Sequence, residues 1–287
     1  MLQELLAGGP VVTDGAWGTE LFARGLEVGR CPDAWNLSHP DRVEQVARAY
    51  VEAGSQVILT NTFGASRPML ERHGLADRVA EINRAGVEIS RRAAAGRAKV
   101  FASMGPSGLL LISGATSPEA LAEAFVEQAR ALAEGGADAI VVETMSDLAE
   151  ARLAVAAARA TGLPVVACMT FDSGKDHDRT MMGTTPEQAA GALAEAGADA
   201  IGSNCGQGIE GFVGIARRLR AAGDRPVWIK ANAGLPEVVD GKAVWTQTPE
   251  RFASLVPAVV EAGADFVGGC CGTSPRFIQA VREKLSR

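Results

Sequence analysis

Three of the five cysteines in this 287-residue chain stand where their chemistry can be pooled. Cys205 follows Asn204, and Cys270 and Cys271 are adjacent inside Gly268-Gly-Cys-Cys-Gly272. Three thiolates supply three corners of a tetrahedral zinc site and leave the fourth for substrate, the arrangement of a catalytic zinc. Flanking glycines let adjacent ligands turn toward one point. Two other readings of these residues stay open. They could be small buried apolar side chains, since free cysteine is often buried, or a redox-active vicinal disulfide. With zinc, three thiolates give a centre of single net negative charge. That centre generates hydroxide poorly, but it can hold a substrate thiol, of ordinary pKa about 8.5, as thiolate at neutral pH. The implied reaction is displacement of an alkyl group onto a thiol.

These residues need a scaffold that gathers them, and a repeat supplies it. Val51-Glu-Ala-Gly-Ser-Gln-Val-Ile, Ala133-Glu-Gly-Gly-Ala-Asp-Ala-Ile, Ala194-Glu-Ala-Gly-Ala-Asp-Ala-Ile and Val260-Glu-Ala-Gly-Ala-Asp-Phe-Val are four copies of one pattern. Each copy is a helix end, a glycine that stops the helix in the left-handed conformation, and a short apolar run. The runs do not alternate, so they fit strands buried on both faces of a parallel sheet. With the segments between them, eight strands are expected at about 11–14, 56–61, 99–104, 138–143, 164–170, 199–203, 226–231 and 265–269. Helices are expected at Asp41–Ala53, around Ile89–Ala98, and at Pro118–Glu134, Leu148–Thr161, Pro186–Ala196, Pro249–Ala262 and Pro275–Arg287. Eight β–α units in one chain of this length predict an α/β fold, a single (β/α)8 TIM barrel over residues 1–287. The rival is a doubly wound sheet, but no glycine-rich dinucleotide fingerprint follows the first strand.

A barrel of this kind keeps its chemistry at the C-terminal ends of its strands. Asp14, Asn61, Glu143, Asn204, Cys205, Asn232, Cys270 and Cys271 all fall there. Two carboxylates, Asp14 and Glu143, could grip an ammonium group. Asp14 also fits a helix cap or turn, whereas a carboxylate at a buried strand end, as at Glu143, is rarely left uncompensated. The Asn232 carbonyl oxygen could fill the open metal position, or hydrogen-bond within its loop. Asn61, Thr62 and Phe63 are candidates for the pocket wall. Cys31 is expected to be an ordinary thiol, Cys168 to be core, and His39, His73 and His177 to be surface or capping residues. The polar segment Asp172–Thr180 reads as a mobile loop over the mouth.

The segments Asp14-Gly-Ala-Trp-Gly-Thr-Glu20, Thr60-Asn-Thr-Phe-Gly-Ala65, Glu143-Thr-Met-Ser-Asp147, Asn204-Cys205, Asn232-Ala-Gly234 and Gly268-Gly-Cys-Cys-Gly-Thr273 resemble the homocysteine S-methyltransferase family. The resemblance runs from about Val11 to the C-terminus. It implies a (β/α)8 barrel with Zn2+ held by Cys205, Cys270 and Cys271, and methyl transfer to homocysteine to form methionine. It implies that Asp14 and Glu143 hold the amino group of the acceptor, with backbone N–H groups near Gly15-Ala16 or Gly105 for its carboxylate.

The donor must carry an activated methyl: S-methylmethionine, S-adenosylmethionine, betaine or methylcobalamin. The Asp14–Leu21 and Thr60–Ala65 segments look closest to the homocysteine module of cobalamin-dependent methionine synthases, which implies a separate corrinoid protein as partner. With 5% aromatic residues and one tyrosine, the chain offers little for an aromatic cage around betaine; Trp17 and Trp35 are the candidates. Other functions remain: a subunit that binds a thiol amino acid without methylating it, a methyltransferase for a different thiol, or a barrel isomerase or lyase with Glu143 as base. A net charge of −6 argues against nucleic-acid binding, and no apolar run is long enough for a membrane span. The N-terminus lacks a secretory signal, and a cytoplasmic setting is expected; five cysteines are too few for a disulfide scaffold, and their odd count there points to metal or catalytic chemistry.

Overall fold

The computed structural model describes residues 1–239 and 242–286. Eight parallel strands follow one another around a nearly closed barrel: β1 (Val11–Val12), β2 (Val57–Ile58), β3 (Lys99–Met104), β4 (Ala139–Met145), β5 (Val165–Met169), β6 (Ala200–Gly208), β7 (Val227–Asn232) and, after a separate antiparallel hairpin of β8 (Glu237–Val239) and β9 (Lys242–Val244), β10 (Phe266–Gly269). First and last strands pair in parallel, Val11 with Phe266 and Val12 with Val267. A single bridge from Thr13 to Val57 joins β1 to β2. The fold is the expected (β/α)8 barrel.

The repeat explains how the lower rim is stitched. Its glycines take positive φ, 88° at Gly136, 103° at Gly197 and 115° at Gly263, and so end their helices. The aspartate two residues later then reaches sideways. Asp138, Asp199 and Asp265 accept from the backbone N–H of Val100 (2.8 Å), Val165 (2.9 Å) and Val227 (2.7 Å) on the neighbouring strand. Gln56 does the same for Val12 at 3.0 Å in the first copy. Helix starts share a device too. Ser117, Thr185 and Thr248 accept from the backbone N–H three residues on, each followed by a proline at the first helical position.

Inside the barrel Val57, Phe101, Val141, Val166, Cys168, Trp228 and Phe266 form a packed plug, closed from below by Leu2 of the short helix Leu2–Leu6. Trp228 stacks on Phe101 at 5.9 Å and leans on Phe266 at 5.1 Å. A larger apolar layer lies between strands and surrounding helices. Cys168 is thus core, as expected.

Boundaries differ from the sequence reading where chemistry intervenes. β1 and β2 keep only two ladder residues each. β6 runs to Gly208 rather than 203, with a register irregularity after Asn204. The helix expected around Ile89–Ala98 is Val79–Ala94, stopped by left-handed Ala95. The last helix ends at Leu285, and Arg287 lies outside the described residues. The loop after β5 is pinned: Ser173 bridges Arg179, and Arg218 holds Asp178 at 2.5 Å.

Candidate metal and acceptor site

Above the apolar plug the inward positions turn polar. Cys205 on β6 and the Cys270-Cys271 pair just after β10 meet at the upper rim, their sulfurs all within 4.8 Å of one another. Cys205 Sγ lies 3.8 Å from Cys271 Sγ. Two sulfurs on a tetrahedral zinc with bonds of about 2.3 Å sit about 3.8 Å apart, so the spacing fits a shared metal. The backbone bends to make this. Cys205 has φ 63°, a left-handed conformation that costs a non-glycine residue about 1–3 kcal/mol. It is followed by Gly206 at φ 75°. A Cβ at Gly268 would collide with Thr13 Oγ1 and the Asp14 carbonyl, so only glycine lets β10 approach β1 here.

As bare thiols the three cysteines share protons unevenly. The Cys270 and Cys271 thiols next to Cys205 pull its pKa down to about 3, while Cys205 pushes Cys271 up to about 12 and, together with Cys271, pushes Cys270 well up. The cluster gives up its first proton readily, which suits a set of metal ligands. Two amides attend it. Asn204 Nδ2 is 3.9 Å from Cys270 Sγ and donates to Thr144 Oγ1 at 2.7 Å. Asn232 is 5% exposed, and its Oδ1 has no hydrogen-bond partner among the described residues. The Asn232 side chain lies against Cys205, and a buried carbonyl oxygen left unpaired there is the kind of donor a metal would satisfy.

The carboxylates lie on the floor of the same site. Asp14 is fully buried; its Oδ2 accepts from Trp17 Nε1 and the Leu59 N–H, both at 2.7 Å, and its Oδ1 from Lys230 Nζ. Glu143 Oε1 accepts from Ser103 Oγ, and Oε2 from Asn204 Nδ2 at a loose 3.4 Å. Burial raises the Glu143 pKa, and the Lys230 charge and the Ser103 bond pull it back.

Comparison with known proteins decides the lineage. The sequence pattern of the family described as homocysteine S-methyltransferase matches residues 11–285. The chain belongs to the homocysteine S-methyltransferase family. It is 34% identical over 301 residues to a methionine synthase of Mycobacterium tuberculosis, covering 98% of this chain and 25% of that protein. The chain therefore spans a quarter of the length of that relative. It is 30% identical over 307 residues to betaine–homocysteine S-methyltransferase 1 of Danio rerio, covering 100% of this chain and 75% of that one. Its fold resembles the metallated form of the homocysteine methyltransferase MmuM from Escherichia coli, with TM-score 0.82, 23% identity and 98% of each chain covered.

Within this family site, the remaining sequence candidates divide. Asn61 Nδ2 is spent on Pro32 O at 2.8 Å and Asn36 Oδ1 at 3.0 Å, tying the loop after β1 to the end of β2. Thr62 is fully buried and donates to Ser103 O at 2.7 Å, while Phe63 lies over Gly105, whose N–H donates to Phe63 O at 3.0 Å. The Ala16 N–H is engaged by Thr273 Oγ1 at 3.1 Å, and a Cβ at Gly15 would strike Thr273 and Tyr50. The Gly15 N–H has no partner among the described residues. Cys31 stays a buried thiol, pushed up to about 11 by burial. His39 precedes the helix Pro40–Glu52, and His73 and His177 are exposed.

Sequence reasoning missed Lys230, Ser103 and Trp245. Lys230 had a signal: a lone cation inside the apolar run Val227-Trp-Ile-Lys-Ala-Asn232 of β7. Ser103 had none beyond its place on β3. Trp245 covers Gly272 beside the cysteine pair, and its position depends on the hairpin, which the sequence did not announce.

Proposed function

We propose that this protein transfers a methyl group to the thiol of homocysteine, forming methionine, with zinc held by Cys205, Cys270 and Cys271. The observation that carries this is the convergence of those three sulfurs within 4.8 Å at the upper rim of a homocysteine S-methyltransferase barrel. When bound, zinc supplies a Lewis acid that keeps an incoming thiol deprotonated at neutral pH. The chain does the rest. Asn232 Oδ1 is the fourth donor when no acceptor is present. Asn204 donates toward Cys270 and orients it. Asp14 and Glu143 form the acidic floor that draws the acceptor ammonium, and the Gly15 N–H is the donor for its carboxylate. No general base is required of either acid.

For the donor, the reading we favour is methylcobalamin presented by a separate corrinoid protein. The match to methionine synthases supports it, and so does a rim of exposed apolar side chains on the loops after the strands: Phe63, Leu110, Ile112, Met181, Met182 and Leu235. The aromatic candidates for a cage are otherwise engaged. Trp35 is buried with Arg42 stacked at 5.3 Å, and Trp17 is tied to Asp14. Five free cysteines suit the reducing cytoplasm.

The test is methionine formation from homocysteine by zinc-loaded protein, with methylcobalamin, S-methylmethionine, S-adenosylmethionine and betaine offered in parallel. Turnover with methylcobalamin supports both parts of the reading. Turnover with another donor alone keeps the reaction and removes the corrinoid partner. Methylation of a different thiol with homocysteine ignored overturns the acceptor assignment.

A further inference from the structure

Lys230 is the one charged side chain in β7, and it is 3% exposed. A buried ammonium is costly unless paired, so its position calls for an explanation in function as well as packing. It points from β7 past the neighbouring β10 to Asp14, at the end of β1, and donates to Oδ1. The charged and titratable groups around it are Asp14, Glu143 on β4 and Cys270 after β10, with Cys168 of β5 in the plug below. Lys230 thus lies in the field of both carboxylates on the acceptor floor, and two negative charges meet one resident positive charge.

We propose that Lys230 is the positioning and specificity-determining residue of the acceptor pocket: it fixes Asp14 and offsets one of the two carboxylate charges, so the floor is complementary to a thiol compound carrying one ammonium group. The inference rests on the acceptor reading given above. Asp14 already has both oxygens engaged, with the Leu59 N–H and Trp17 Nε1 on Oδ2. Glu143 Oε2, with only the 3.4 Å contact from Asn204, is the freer oxygen. An arriving ammonium completes the balance of charge. Remove Lys230, and the two buried carboxylates of the floor share one site without a cation. In such a site one carboxylate is pushed to keep its proton, and a protonated acid no longer draws the substrate ammonium. A thiol acid without an amino group does not depend on that charge.

The experiment compares binding of L-homocysteine with that of 4-sulfanylbutanoic acid, which lacks the amino group, by calorimetry on zinc-loaded protein. Zinc content is measured alongside. Wild-type protein should prefer homocysteine; equal binding by wild type would refute the acceptor reading itself, separately from the role of Lys230. In Lys230→Met the preference should fall at least tenfold with zinc content unchanged. In the double variant Lys230→Met/Asp14→Asn, which leaves one carboxylate with no second acid in the site, the preference should return to within about threefold of wild type. A purely structural role would weaken both ligands together and would not be relieved by a second substitution. If Lys230→Met does not fold, the charge-neutral double variant carries the test, compared with Glu143→Gln. A single-variant preference within twofold of wild type, or a double variant that discriminates no better than Glu143→Gln, overturns the proposal.

Discussion

At the lower rim of the barrel Asp138, Asp199 and Asp265 each close the start of a neighbouring strand, and each also meets a cation: Lys99 at 3.5 Å, Arg159 at 3.2 Å, and Arg220. At the upper rim the acids differ from one another. Asp14 is sealed with a buried lysine, Glu143 leans on a serine, and Asp33 holds the Gly64 N–H at 3.0 Å with only a cysteine thiol at 3.8 Å on its other oxygen. The upper rim also has left-handed Thr144 and Cys205 and the unpaired Asn232 oxygen. Left-handed Ala95 aside, the lower rim repeats one satisfied solution, while the upper rim leaves strain and open valences. Strain and unpaired groups cluster where function needs them, and here they mark the end that binds.

The sharpest way to break this contrast is at the sulfurs. Cys205→Ala, Cys270→Ala or Cys271→Ala should each abolish stoichiometric zinc and reduce methyl transfer by more than the roughly 10–100-fold that supporting residues cost, as metal analysis and turnover would show. Zinc at full stoichiometry in any of the three would sink the three-thiolate site. Next comes Asn232→Ala. It should weaken zinc by about 10–100-fold in substrate-free protein, measured by chelator competition, with little change once homocysteine is bound.

The third substitution tests the acid without a cation. Burial pushes the Asp33 carboxyl up to about 6. A folded pKa above the unfolded value means the native state binds the extra proton, so stability falls as pH rises from about 4 through 6. Asp33→Asn should therefore stabilise the protein near pH 7 by up to about 3 kcal/mol and do little at pH 4, read from denaturant melts at both pH values. The smallest effect is expected below. Asp265→Ala leaves the Val227 N–H without its acceptor and Arg220 with only the Gly263 and Arg225 carbonyls, which should cost about 1–3 kcal/mol and lower Tm by a few degrees. Methyl transfer should stay within twofold of wild type, and a large loss of activity would show that the two rims are not separate in function.

The same contrast explains what the sequence made legible. The lower rim recurs in four copies, three of them with Gly-Ala-Asp, so the repeat announced the barrel. Cys205, Cys270 and Cys271 were legible because strand ends in such a barrel share one rim. Lys230 carried a signal, a lone cation in an apolar run, but its partner at the end of β1, one strand beyond β10, did not show in the sequence. The commitments of Asn61 to Pro32 and Asn36, and of the Ala16 N–H to Thr273, were equally hidden. They join segments far apart in the chain, which no local pattern encodes. The extension of β6 past Cys205 depends on a left-handed cysteine that propensity argues against.

The central claim is that three cysteine sulfurs hold a zinc whose remaining position takes the acceptor thiol. X-ray absorption at the zinc edge, with and without homocysteine, tests it most directly. The account predicts three sulfur neighbours and one lighter atom in the substrate-free protein, changing to four sulfurs with homocysteine. Fewer than three sulfurs at rest, or a coordination shell that homocysteine leaves unchanged, would contradict it.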